Sequence, residues 1–143
     1  MTKRWAGLMG LRAGSVARAE DLLTACVREC ARHVAASEDR PGPEQRRLVA
    51  AVGELVVRHT DLRPSEDDCF ESLLEVGRRA LDAGEVRLAR RLADSAVALR
   101  SRSAEAWHLR GRALERLGRA GEAEQAFTRS RGIESRTARP AAV

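Results

Sequence analysis

The sequence predicts an all-α protein in which antiparallel helical hairpins stack as a short solenoid. Three observations carry this expectation. Helix-favouring Ala, Leu, Arg and Glu dominate, aromatic residues make up only 3%, and no run of β-branched or aromatic residues has the look of a strand. Apolar residues recur at three-to-four spacing. In the second half, small residues recur with a period of 34. At 143 residues the chain is long enough for one compact core. With 43% hydrophobic residues and few rings, that core has to be built from Leu, Val and Ala.

Residues 1–14 form an N-terminal arm in which Lys3 and Arg4 precede Trp5, Leu8, Met9 and Leu11, with Gly7, Gly10 and Arg12 interrupting the apolar positions. It is too short and broken for a membrane span or a signal peptide, although its basic and apolar character leaves open an amphipathic arm that touches a membrane or folds over the protein. Residues 15–62 read as a helical hairpin. Ser15 is the expected N-cap of a first helix to about Ser37, with Leu22, Leu23, Cys26, Val27, Cys30 and Val34 as its stripe. Pro41, Gly42 and Pro43 break it. A second helix opens at Pro43 or Glu44, carries Leu48, Val49, Val52, Leu55 and Val56, and ends by Leu62 ahead of Pro64.

Residues 65–135 read as four further helices. Ser65 and Asp68 are spaced as a capping box, opening a third helix at about Glu66 in an acid-rich first turn. Gly84 stops it, and a fourth helix runs from about Glu85 to Leu99 or Arg100. After the loop Ser101 to Ser103, a fifth helix spans Ala104 to Leu117 and stops at Gly118, and a sixth occupies about Gly121 to Gly132. The polar residues from Glu134 onward, with Pro140 among them, are expected to fray, leaving 136–143 as a flexible tail.

A shift of 34 residues superposes Gly77 on Gly111, Gly84 on Gly118, Ala89 on Ala123, Ala96 on Ser130 and Leu99 on Ile133. The later copy reads Trp107, Gly111, Leu114, Gly118, Ala123, Phe127 and Ser130: a large residue, a small one a turn on, a bulky one, the glycine of the turn, then small, aromatic and small residues in the second helix. The earlier copy reads Leu73, Gly77, Ala80, Gly84, Ala89, Ala93 and Ala96. This pattern resembles the tetratricopeptide repeat, over about Phe70 to Ser135. Where the family usually has Leu in the first helix, the copies have Val76 and Arg110, and where Pro is common after the second helix they have Ser101 and Ser135. The first hairpin departs further, since Pro43 falls where the small residue should stand. It is read as a degenerate or capping unit stacked on the third helix, because two repeats alone bury too little.

The formal net charge is +5, and Lys3 is the only lysine. The arginine bias is read as the mark of a high-GC bacterial genome. From Asp61 to Glu85 eight acids face three arginines, whereas from Val86 onward thirteen arginines face six acids. Such a basic half can steer an acidic partner. Cys26, Cys30 and Cys69 are odd in number, and the first two are a turn apart, poor geometry for a disulfide, so a reducing, cytoplasmic setting is expected. A zinc site from Cys26, Cys30 and His33 is disfavoured. On a helix Cys26 and His33 lie about 10.5 Å apart along the axis, too far to share an ion bound at about 2.0–2.3 Å. Both cysteines are instead expected in the core as small hydrophobes. No catalytic residues, metal ligands or cofactor are expected: His33, His59 and His108 show no nucleophile or carboxylate spacing, and no glycine-rich phosphate loop follows a strand.

The resemblance implies a non-catalytic adaptor for protein–protein interaction, with the first helix of each repeat lining a concave face. Ligand-contacting positions of the family fall on Glu71, Leu74, Arg78, Leu81 and Asp82, and on Glu105, His108, Arg112, Glu115 and Arg116. Arg78, Arg112, Arg116, His108 and Leu74 are the expected partner-binding residues. Arg78 and Arg112 occupy equivalent places and can fork onto a carboxylate, so an acidic or C-terminal peptide segment of a partner protein is the expected ligand. The competing reading makes these arginines solvated intrahelix pairs, such as Arg112 with Glu115. Other classes remain beside it: a basic nucleic-acid-binding module, which lacks interleaved exposed aromatics, and a structural subunit of a larger complex. Finally, Leu114, Leu117 and Ile133 are expected as an exposed surface for homo-oligomer or partner contact, because no complete capping helix follows the last repeat.

Overall fold

The computed structural model describes residues 13–36, 42–62 and 66–138, with the backbone alone for 13–23, 62 and 66–68. Six helices appear among them: α1 (Ala13–Ala36), α2 (Pro43–Leu62), α3 (Glu66–Asp82), α4 (Val86–Leu99), α5 (Ala104–Arg116) and α6 (Ala120–Ala138). No strand occurs among the described residues. Consecutive helices pack against each other, and α3 also touches α1 and α5 while α2 touches α4. The result is a stack of hairpins with α1, α3 and α5 in one layer and α2 and α4 behind it.

Local chemistry sets the helix ends. Pro43 opens α2, where its missing N–H costs nothing, and the Gly42 carbonyl accepts the first bond from the Arg46 amide at 3.0 Å. Ser103 caps α5, its Oγ accepting from the Ala106 amide at 3.3 Å. Two helices end alike. Gly84 has φ +82° and Gly118 φ +77°, and in each case the following amide reaches back to the carbonyl five residues earlier, Glu85 to Ala80 at 2.8 Å and Arg119 to Leu114 at 2.9 Å. A left-handed residue is required there, so the 34-residue recurrence of glycine has a backbone cause.

Two helix ends differ from expectation. α1 begins at Ala13, so Ser15 lies within its first turn rather than capping it. α6 opens at Ala120 and continues to Ala138, so residues 134–138, expected as fraying tail, are helical. Pro140 disfavours helix only at the residue before it, and the Thr137 hydroxyl donates to the Ile133 carbonyl at 3.0 Å, an interaction that helix geometry allows. Ser65 of the expected capping box, the 1–12 part of the arm and residues 139–143 lie outside the described residues.

One large apolar cluster runs from Val27, Ala31 and Val34 of α1 through Val49, Val52 and Val56 of α2 and Leu73, Val76 and Leu81 of α3 to Leu92 and Ala96 of α4 and Leu109 of α5. A smaller one, Leu114, Ala123 and Ala126 with Trp107 and Phe127 against it, lies inside the last hairpin. The first hairpin therefore shares its core with the first repeat. Polar contacts add to this: Thr24 Oγ1 lies 3.1 Å from His59 Nε2, Cys69 Sγ 3.9 Å from His59 Nδ1, and the Arg79 Nε donates to the Ala35 carbonyl at 2.9 Å.

Two stripe assignments are corrected. Cys26 and Cys30, expected in the core, are exposed, while Cys69 is buried. α1 packs against both α2 and α3, and the face it buries is Val27, Ala31 and Val34, with the small Ala31 inward in place of Cys30. On α2, Val49, Val52 and Val56 are buried, but Leu48 and Leu55 are 39% and 40% exposed.

Candidate functional site

Helices α3 and α5 lie side by side, and small residues permit the approach. A Cβ on Gly77 would stand 2.7 Å from Leu109 Cδ2 of α5, and one on Gly111 would stand 2.7 Å from Phe127 Cε1 of α6. The two glycines are equivalent in sequence but meet different partners. Where the later repeat has Phe127, the earlier has the small Ala93, and Leu109 comes nearest to Gly77 instead.

Between these helices runs an open groove of about 210 Å³, lined by Arg78, Ala104, Glu105, His108, Leu109, Arg112 and Glu134. Three of the five expected partner-binding residues, Arg78, His108 and Arg112, are thus brought together. Arg78 Nη2 donates to Glu105 Oε2 at 2.9 Å, with both side chains largely in solvent, a pair that contributes well under about 1 kcal/mol and can exchange partners. Arg112 is exposed and makes no ion pair among the described residues. The His108 ring tilts 55° against Phe127 with centroids 5.4 Å apart.

The other expected contacts are elsewhere. Leu74 is buried in the main cluster, because α3 is packed by α1, α2, α4 and α5 and has little free face. Arg116 Nη1 lies 3.5 Å from the Leu81 carbonyl, at the last turn of α3, where a cation complements the helix end. Leu114, expected to be exposed, is 2% exposed and sits inside the last hairpin. Leu117 and Ile133 are half-buried. Glu134, which the sequence places in the fraying tail, lines the groove because α6 continues through it; an acid one turn beyond Ser130 is the signal in the sequence.

Arg110, which stands where the family usually has Leu, is accommodated by charge. Its Nε lies 3.0 Å from Asp94 of α4, and its guanidinium is 5.3 Å from the Trp107 ring. Trp107 itself is half-buried against the smaller cluster, with Nε1 donating to the Ser101 carbonyl at 2.8 Å. No cluster of three or more metal-ligating side chains occurs among the described residues. Among them, too, no helix is long and apolar enough to cross a membrane.

A stack of helical hairpins with a groove between successive first helices defines a helical-repeat interaction module. Residues 74–140 match the family model described as tetratricopeptide repeat, a family that generally mediates protein–protein interactions and is typically non-catalytic. Comparison with curated proteins gave no match, and neither did comparison with solved structures.

Proposed function

We propose that this chain is a non-catalytic adaptor that binds an acidic or C-terminal peptide segment of a partner protein in the α3–α5 groove. The observation that carries this reading is Arg112, an exposed guanidinium without an ion pair among the described residues, beside the exchangeable Arg78–Glu105 pair and His108. A planar guanidinium accepts a carboxylate through two parallel hydrogen bonds. Glu105 and Glu134 line the same groove, so a cationic segment meets local attraction too, at Glu134 directly and at Glu105 by competing with Arg78; the planar fork of Arg112 is what favours a carboxylate ligand. A ligand carboxylate meets Arg112 without displacing anything. Cys26 and Cys30, exposed and outside any disulfide among the described residues, support a reducing, cytoplasmic setting.

Fluorescence anisotropy with three labelled peptides of equal length tests the reading: one acidic with a free C-terminus, one acidic with an amidated C-terminus, one basic. Binding of the acidic peptides that weakens with salt is the expected result. Preference for the basic peptide overturns it, and the first two peptides separate side-chain from terminal carboxylate recognition.

A further inference from the structure

We propose that the outer face of α2 is a self-complementary seam on which a second copy of this chain docks in antiparallel orientation. The core-facing side of α2 is spoken for by Val49, Val52, Val56 and Val57. Its opposite side carries Glu44, Leu48, Ala51, Leu55 and Arg58, all exposed. Their spacing alternates four and three, which brings them onto one stripe of the helix, as in the seam of a helix pair. Leu48 and Leu55 are large apolar side chains held in water on that stripe, with the small Ala51 between them letting a second helix axis approach to about 8 Å.

The order of charges states what covers the stripe. A two-fold axis through Ala51 sets Leu48 of one copy against Leu55 of the other. The same axis sets Glu44 against Arg58 at one end and Arg58 against Glu44 at the other, each about 10.5 Å from the centre. Glu44 and Arg58 have no ion pair within their own chain among the described residues. On the flank, Arg47 meets the other copy's Glu54, which within its own chain pairs with Arg91 of α4. A parallel arrangement would put Glu44 on Glu44 and Arg58 on Arg58. The seam lies on the layer of α2 and α4, away from the α3–α5 groove, so it goes beyond the peptide-binding reading and stands or falls apart from it.

Four turns of helix bury less than the about 1,200 Å² of a standard interface, so association is expected to be weak, with Kd about 0.1 mM. Sedimentation equilibrium from about 10 μM to about 1 mM brackets that value. The parent is expected to pass from mostly monomer to mostly dimer. Leu55→Glu should remain monomeric with unchanged helicity. Glu44→Arg alone and Arg58→Glu alone should each dimerise about tenfold more weakly, while the double variant recovers the parent affinity. An equimolar mixture of the two single variants should form a heterodimer tighter than either homodimer, because the two cations on one variant's stripe then face the two anions on the other's. A parent monomeric throughout overturns the proposal. So does a dimer indifferent to Leu55→Glu, or a double variant no tighter than the single ones. If Leu55→Glu loses helicity, the charge variants decide. Leu117→Glu should leave the dimer intact, and its loss in that variant would move the interface to the C-terminal end.

Discussion

Gly111 and Phe127 meet so closely that a Cβ on the glycine would stand 2.7, 2.8 and 3.0 Å from three ring atoms of the phenylalanine. The contact joins α5 to α6 and is made against a planar ring that can retreat only by turning as a whole. Gly111→Leu is therefore expected to destabilise the chain by roughly 1–3 kcal/mol or more, lowering Tm by several degrees. A melting point within a degree of the parent would contradict the assignment of Gly111 to the helix crossing.

The equivalent Gly77 should behave more mildly. Its closest neighbour is Leu109 Cδ2, the far end of a flexible side chain. Replacing a helical Gly by Ala gains about 1 kcal/mol of helix propensity. In Gly77→Ala that gain offsets much of the crowding, whereas in Gly111→Ala the ring contact outweighs it. Chemical denaturation of the two Ala variants should rank Gly111→Ala as the less stable, and the reverse order would locate the tighter crossing in the earlier repeat.

At Gly84 and Gly118 the cost is conformational alone, since a Cβ there meets nothing within 4 Å. Each glycine holds a positive φ, and Gly84→Ala and Gly118→Ala should each cost about 1 kcal/mol. Ser103→Ala, which removes the cap of α5, should cost a similar amount, about 1 kcal/mol. Gly84→Asn and Gly118→Asn should be the better tolerated changes, as Asn enters the left-handed region more readily than Ala. Equal losses for Asn and Ala would mean that backbone conformation is not what these positions select.

These elements were legible because their causes are local. A left-handed residue ends a helix and a proline opens one, and Gly84, Gly118 and Pro43 declare both in the sequence, whereas Ser103 reads there only as part of a loop. Arg78, His108 and Arg112 were also placed together, by a repeat register that the 34-residue spacing of glycines carries. What stayed hidden depends on neighbours distant in sequence. Leu74 lies on a helix packed from several sides, and nothing near it in the chain shows that α1 joins α2, α4 and α5 around it. Cys26 and Cys30 sit beside the buried positions of α1, and three-to-four spacing alone does not choose between Cys30 and Ala31 as the inward residue. Gly53, whose added Cβ would stand 2.6 Å from Leu88 Cδ2, has no counterpart at the repeat period, so the close approach of α2 to α4 left no mark in the pattern.

For the groove, Arg78→Glu combined with Arg112→Glu is expected to abolish binding of an acidic peptide while helicity stays unchanged. Both side chains are exposed, so the fold loses only the weak Arg78–Glu105 pair, whereas the ligand loses two cations and meets two anions. Arg112→Lys should weaken binding less than Arg112→Glu but more than a pure charge effect predicts, because an ammonium lacks the planar fork. Anisotropy titrations of the three variants check this, and an acidic peptide bound equally well by the double variant would place the ligand on another surface.

The three thiols should separate into two classes. Cys26 and Cys30 are exposed on α1, whereas Cys69 is 4% exposed where α3 meets the first hairpin, with its sulfur 3.9 Å from His59 Nδ1. A thiolate attacks the disulfide of a reagent such as DTNB, releasing its nitrothiobenzoate thiolate, only where the reagent can reach it, so Cys69 has to wait until the first hairpin opens from α3. Two fast equivalents followed by one slower by at least about tenfold are therefore expected in native buffer, and three fast equivalents in denaturant. Thr24→Val leaves Nε2 of the buried His59 without its hydroxyl partner and should cost about 1–3 kcal/mol if the hairpin is held by that contact. The same change should speed the slow thiol without altering the two fast ones, because it loosens the hairpin's hold on α3 and leaves the exposed face of α1 as it was. Three equally fast thiols in the native protein would show that the Thr24–His59–Cys69 contacts do not hold the first hairpin closed over α3.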